Sequence, residues 1–337
     1  MVAILTGLAF PQIIESAQYL PFLLSVVVLG MTHGAADFAL IRKRHASNRA
    51  SQALWFSTYA LILIASLGLI YASPPLGLLA FAVFSIWHFG SSDIKDLTTE
   101  TQVIPAKSAY AIRSLFRGSL IVLSPLIFHP ASVESIFNEW IGLSGGIPLA
   151  PSLWADFRFV SLIVISVLGT FTVGFHLSSL QTAKHRRLFS IETGENILLL
   201  VASSILTPLF FVGLYFIGWH SIRHTHHVDH RLLGERKPKR SSFFAPFGRV
   251  LARSIPLLVP ALLLLGLLLV TNPWNQVWTI DRVVALILIF YAVVTPPHEF
   301  IVSNLFRPRL KNAGNQSRDL ARRSSHKPEN ERPAPVI

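Results

Sequence analysis

The sequence predicts an all-α fold, a polytopic transmembrane helix bundle of about eight or nine spans, with the N-terminus outside and the C-terminus cytoplasmic. Three observations carry this expectation. Of 337 residues, 52% are hydrophobic and only 14% are charged, against about 25% charged in soluble domains. The apolar residues fall in runs of roughly 18 to 24, long enough to cross a hydrocarbon core of about 30 Å. Lys and Arg cluster at 42–49, 184–187, 231–253 and 307–332, each beside the end of an apolar run, the pattern of cytoplasmic loops that orient spans and meet anionic lipid. This distribution argues against nucleic-acid binding despite a net charge of +12.

Helices are expected at 20–41, 53–72, 76–94, 108–128, 157–180, 190–207, 208–227, 252–271 and 281–304. The first run closes on Arg42, Lys43 and Arg44, and no cleavable signal pattern precedes it, so this span is expected to be retained. The second ends at Ser73-Pro74-Pro75, a turn without a basic residue, and the third closes before Lys95. The fourth is followed by the segment 129–156, which holds no Lys or Arg, and the fifth by Lys184, Arg186 and Arg187. As one helix, 190–227 would be nearly twice a span and would put the basic 231–249 loop outside; a break at Pro208 makes it a hairpin. The eighth run ends at Thr271-Asn272-Pro273 and the ninth before Arg307. Basic and non-basic loops then alternate. Residues 1–306 are expected to form one membrane-embedded domain, and 307–337 a basic, disordered cytoplasmic tail.

The chain has no cysteine and 13 histidines. Disulfides, thiolate ligands and cysteine nucleophiles are excluded, so a metal would be held by His, Asp or Glu. His45, His129, His185, His230 and His326 fall in loops or the tail, where a structural role suffices. His33, His88, His220, His224 and His298 lie inside apolar spans, where ionisable groups are costly and mark function. His33 stands nine residues before Arg42, His88 seven before Lys95 and His298 nine before Arg307, while His220 and His224 precede the loop that begins near Arg231. At about 1.5 Å per residue, all five are expected at one depth, in the cytoplasmic half of the membrane.

His220 and His224 are four apart, the spacing by which one helix presents two imidazoles to a metal. Asp37 follows His33 by one turn, Asp93 follows His88 by five residues, and Glu195 lies on a neighbouring span. These acids are candidates to accept the second imidazole N–H, the alternative being interfacial water. His298, in Pro296-Pro297-His298-Glu299, is expected to line the site. His226 and His227 lie nearer the loop, and His176 lacks a carboxylate nearby in sequence. Imidazoles without thiolates suit Zn, Cu, Fe or Ni. Four protein ligands leave open positions on a six-coordinate ion, which favours a redox-active iron. No phosphate loop, G-x-S-x-G or dinucleotide fingerprint is present, so an apolar substrate reached from the bilayer is expected, with some of the aromatic residues lining its path.

Gly-x-x-His-Gly-Ala-x-Asp at 30–37, Trp-His-Phe-Gly-x-x-Asp at 87–93, Tyr-Phe-x-x-Trp-His-Ser-x-Arg-His at 215–224 and Pro-His at 297–298 resemble the Brp/Blh family of membrane-embedded β-carotene 15,15′-dioxygenases. The likeness extends in order and spacing over most of residues 20–305. It implies an Fe(2+) enzyme of the cell inner membrane that splits the central double bond of β-carotene with O2 into two retinals. It implies iron ligands at His33, His88, His220 and His224, and a link to a microbial rhodopsin. One departure is Thr32, where the family pattern commonly has proline before the first histidine. Two other readings stay open: a di-iron desaturase or hydroxylase, suggested by His220-x-x-x-His224-x-His226-His227, and a non-enzymatic haem-binding or transport protein.

Overall fold

The computed structural model describes residues 2–25, 30–233, 245–271, 273–275 and 277–305, without the side chains of His33, His224, His227, residues 230–233 and Leu305. Among these, every regular element is helical. Three short helices lead in: α1 (Val2–Ala9), α2 (Pro11–Ala17) and α3 (Tyr19–Leu23). Then come α4 (Met31–Ala35), α5 (Asp37–Arg44), α6 (Arg49–Ala72), α7 (Pro74–Thr101), α8 (Lys107–Val122), α9 (Ser124–Phe128) and α10 (Pro130–Leu143). The chain continues as α11 (Pro151–Leu177), α12 (Ala183–Ile205), α13 (Pro208–Tyr215), a π-helical turn (Phe216–His220), α14 (Ser221–Leu233), α15 (Ala245–Thr271) and α16 (Ile280–Leu305).

Local chemistry sets the boundaries. Pro11, Pro74, Pro130, Pro151 and Pro208 each sit in the first turn of a helix, where the missing N–H costs nothing and the fixed φ is already helical. Asn48 caps α6 by accepting from the Ser51 N–H at 2.8 Å, and Thr182 caps α12 by accepting from the His185 N–H at 3.3 Å. The break expected at Pro208 is present: Leu206 leaves the helix with extended backbone and α13 starts two residues later.

Six helices, α6, α7, α11, α12, α15 and α16, are long and apolar enough to cross a membrane. Their outward faces carry large apolar side chains such as Leu61, Phe159 and Leu263, a surface suited to lipid. Half of the apolar window of α16 is buried, against 6% for α6, so α16 is central and α6 peripheral. The other three regions expected to span differ in detail. The 20–41 run is divided among α3, α4 and α5, with residues 26–29 outside the described set. The 108–128 run is α8 plus α9 and buries Arg113 and Arg117. The 208–227 run is α13, the π turn and α14. The segment 129–156, expected as a loop, contains α10, whose Trp140 anchors the largest apolar cluster with Ile136 and Ile141. The tail at 307–337 lies outside the described residues.

Loop contacts mark the two ends of the bundle. Lys184 reaches the Gln102 amide oxygen at 3.1 Å, joining the α11–α12 turn to the end of α7. At the opposite end, Trp274 donates to the Leu143 carbonyl at 2.7 Å and Arg282 to Glu139 at 2.7 Å.

One contact positions the site. α7 and α8 cross so closely that a β-carbon on Gly90 would run into the Ser114 carbonyl, and one on Gly118 into the Ile86 carbonyl. Small residues permit such approach between membrane helices. Gly90→Ala is therefore expected to force α7 off α8, at a cost of at least the ~1–3 kcal/mol typical of overpacking. A thermal unfolding midpoint in detergent equal to that of the unaltered protein would refute this.

Candidate metal centre

His88 lies on α7 two residues before the Gly90 crossing, and it is buried. Its Nδ1 is 2.6 Å from Glu299 Oε2 on α16. His220 closes the π turn, where one extra residue re-aims the helix face, a distortion frequent at functional sites. Its ring centre is 5.0 Å from that of His88 and 5.0 Å from that of Phe89. His298 follows Pro296 and Pro297, and α16 continues through both as helix. Its ring centre is 5.2 Å from that of His88, and its Nδ1 is 2.8 Å from Asp37 Oδ2 on α5. Three histidines from three separate parts of the chain thus meet at His88.

Two expected ligands, His33 and His224, have backbone in α4 and α14 but side chains outside the described residues. Met31 and Gly34, two residues before and one after His33, both line the same cavity as His88, His220 and His298. Among the described residues, no set of three or more His, Asp or Glu side chains closes on one point.

The cavity has a volume of about 440 Å³. Its walls are aliphatic and aromatic. Among the described residues, polar side chains in the lining are limited to Tyr59, Ser85, Tyr291, Thr295 and the three histidines, and none is an acid, Lys or Arg. The histidines sit at one end. Along α16 the lining runs from Leu288 to His298, roughly 15 Å at helical rise. Phe81, Phe89 and Phe216 are among the aromatic residues of this wall.

Two of these histidines are oriented as metal-binding imidazoles are. Imidazoles that bind metals characteristically give their other ring nitrogen to a carboxylate or carbonyl, which fixes the ring and raises its basicity. His88 and His298 both do so, from Nδ1, so Nε2 is the nitrogen each could offer a metal. The carboxylates differ in part from those expected. Asp37 serves His298 rather than a described His33 contact. Asp93 and Glu195 instead meet Arg117, whose Nε donates to Asp93 Oδ2 at 3.0 Å and whose Nη2 donates to Glu195. Arg117 also donates to Asn196 Oδ1 at 2.7 Å, and Arg223 donates to Glu195 Oε1 at 3.1 Å.

Sequence reasoning missed Glu299, although it adjoins His298 in Pro-Pro-His-Glu. It also missed Arg113 and Arg117, whose presence inside an otherwise apolar run was the available signal. His176 does have an acid beside it: Glu192, on the next helix, at 3.2 Å. Arg113 donates to that same carboxylate at 3.0 Å.

A family model described as Beta-carotene 15,15'-dioxygenase matches residues 24–306. Over 314 residues the chain is 27% identical to the Probable beta-carotene 15,15'-dioxygenase Blh of Halobacterium salinarum, a match covering 90% of this chain and 88% of that protein. No solved structure matches the chain.

Proposed function

The chain belongs to the beta-carotene 15,15'-dioxygenase family, and on that premise we propose that it is an integral-membrane iron(II) enzyme that splits the central double bond of β-carotene with O2 into two molecules of all-trans-retinal. The observation that carries this reading is an apolar cavity ending on buried, carboxylate-oriented histidines. Iron(II), held by His33, His88, His220 and His224, supplies the one-electron reactivity that lets O2 react with a closed-shell polyene.

The protein's own tasks are then few. Both oxygen atoms end in the two aldehydes and no proton is transferred, so the absence of acids and lysines from the described lining suits the reaction. The aliphatic and aromatic walls desolvate the polyene and exclude water from a reactive site. Glu299 and Asp37 hold the His88 and His298 rings in place. Regioselectivity comes from length. An extended covalent chain advances about 3.5 Å per three bonds, so the nine bonds from C15 to the end ring take about 10 Å, and the ring fills most of the remaining cavity. Seating the ring at the far end sets the 15,15′ bond beside the histidines.

The alternating basic loops support an outside N-terminus and a cytoplasmic C-terminus in the cell inner membrane, with eight or nine crossings once the helices at 20–41, 108–128 and 208–227 are included. β-Carotene then reaches the site from the bilayer, and the retinal serves an acceptor such as a microbial rhodopsin.

Expression in β-carotene-producing cells tests the proposal. The expected outcome is loss of orange colour with retinal detected by chromatography, and one iron per purified chain. Unchanged colour in cells whose membranes hold the iron-loaded protein would overturn it. Two irons per chain would favour the di-iron reading.

A further inference from the structure

We propose that the Ser85 hydroxyl donates a hydrogen bond to the aldehyde oxygen that forms on C15 of the polyene, so that the cavity holds the product half by its new polar end. The inference rests on the carotenoid-cleavage reading above and deepens it, by naming a residue that touches the reacting end of the chain.

Ser85 lies on α7 three residues before His88, about 4.5 Å away along the helix axis, and is 2% exposed. At about 100° per residue, Phe81, Ser85, His88 and Phe89 share one face of α7, and all four line the cavity. The opposite face is pinned on α8, where Gly90 packs on the Ser114 carbonyl and the Ile86 carbonyl on Gly118. That contact fixes the rotation of α7 and turns Ser85 inward. Helical hydroxyls commonly donate to a carbonyl one turn back, as those of Ser66, Thr98 and Thr101 do. The Ser85 Oγ has no hydrogen-bond partner, a state that carries a desolvation cost. Ser114, Ser119, Ser144 and Ser221 share that state, but none of them lines the cavity. Ser85 does, one turn from His88.

Chemistry identifies the partner. β-Carotene is a hydrocarbon and offers a hydroxyl no acceptor, so nothing on the intact substrate answers Ser85. Cleavage breaks the 15,15′ double bond and the double bond of O2, and their electrons become those of the two C=O bonds that form. Ser85 keeps its proton throughout and donates to one of the new oxygens. With the ring of the seated half at the far end of the cavity, C15 is the atom held beside His88 and Ser85. A donor that finds its acceptor only as the carbonyl forms favours the transition state and product over the substrate, which is how binding energy speeds a reaction. Packing alone explains less. Alanine would cover the same wall with better helix propensity and no stranded hydroxyl.

The test uses the full-length protein in detergent, kept free of O2 so that β-carotene stays intact. Infrared difference spectroscopy reads the carbonyl stretch of added all-trans-retinal, and quenching of tryptophan fluorescence reads the affinities for retinal and β-carotene. In the unaltered protein the stretch is expected below its frequency in a hydrocarbon solvent, the mark of a donated hydrogen bond. Ser85→Ala is expected to return it to the hydrocarbon value and to weaken retinal binding roughly three- to ten-fold, the size of one neutral hydrogen bond, with β-carotene binding unchanged. Ser85→Thr, which keeps a hydroxyl, is expected to restore both readouts. Ser119→Ala removes a buried hydroxyl outside the cavity and should shift neither. A hydrocarbon-like stretch in the unaltered protein, or a lowered stretch or undiminished retinal affinity in Ser85→Ala, would overturn the Ser85 contact and leave the cleavage reading standing. A folded protein that binds neither retinal nor β-carotene would overturn both.

Discussion

Replacing His88 by alanine is expected to abolish both bound iron and retinal formation, the largest functional effect of any single substitution in this chain. His88 is the ring that touches both His220 and His298, and its Nδ1 pairs with Glu299, which also accepts from Ser303. Losing it removes a ligand and also frees a buried carboxylate, so the loss should exceed the roughly 10–100-fold seen when only an outer partner is removed. The uncompensated Glu299 also destabilises the bundle by about 1–3 kcal/mol or more, which would confuse a chemical defect with an unfolded one. His88→Gln separates the two, because its amide still donates to Glu299 but offers no ring nitrogen. The glutamine variant is expected to elute from a sizing column in detergent like the unaltered protein and to make no retinal. Cells expressing either variant and accumulating retinal at the ordinary rate would remove His88 from the site.

The helices were readable wherever stability in lipid demands a long apolar run, because such a run has few other fates. α10 escaped for the same reason. Its apolar residues Val133, Ile136, Phe137, Trp140 and Ile141 recur at helical spacing, but over too few residues to register as a crossing. The histidine cluster was legible through depth, since counting back from basic residues places several helices at one level. Its carboxylates were not. Spacing along the chain offers Asp37 to His33 and Asp93 to His88, with Glu195 on another span. The bonds that form instead join residues 211 and 261 apart in sequence. Packing decides such pairs, and spacing along the chain carries no record of it. The Pro296–Pro297 pair left the direction of His298 open because proline often kinks a helix. Here α16 continues, and His298 lines the cavity.

Arg117→Met is expected to be the most destabilising substitution outside the cavity. The Arg117 side chain is completely buried and donates to Asp93, Asn196 and Glu195. Removing one partner of a buried pair typically costs about 3–5 kcal/mol, because the other charge is left uncompensated. Glu195 would keep Arg223, whereas Asp93 would lose its guanidinium, so the damage falls on α7. That matters for the metal. Asp93 is five residues after His88 on α7, and Arg223, on α14, is three after His220, so the chain Asp93–Arg117–Glu195–Arg223 links the helices beside two of the proposed ligands through two others. Thermal unfolding in detergent and iron retention should therefore fall together. Arg117→Lys should rank between Met and Arg, since one ammonium cannot match a planar fork that meets three acceptors. Adding Asp93→Asn to Arg117→Met should recover part of the lost stability, because the stranded charge is what costs most. If the methionine variant melts and holds iron like the unaltered protein, the network contributes packing alone and the spacing of the ligand helices is set by the Gly90–Gly118 crossing.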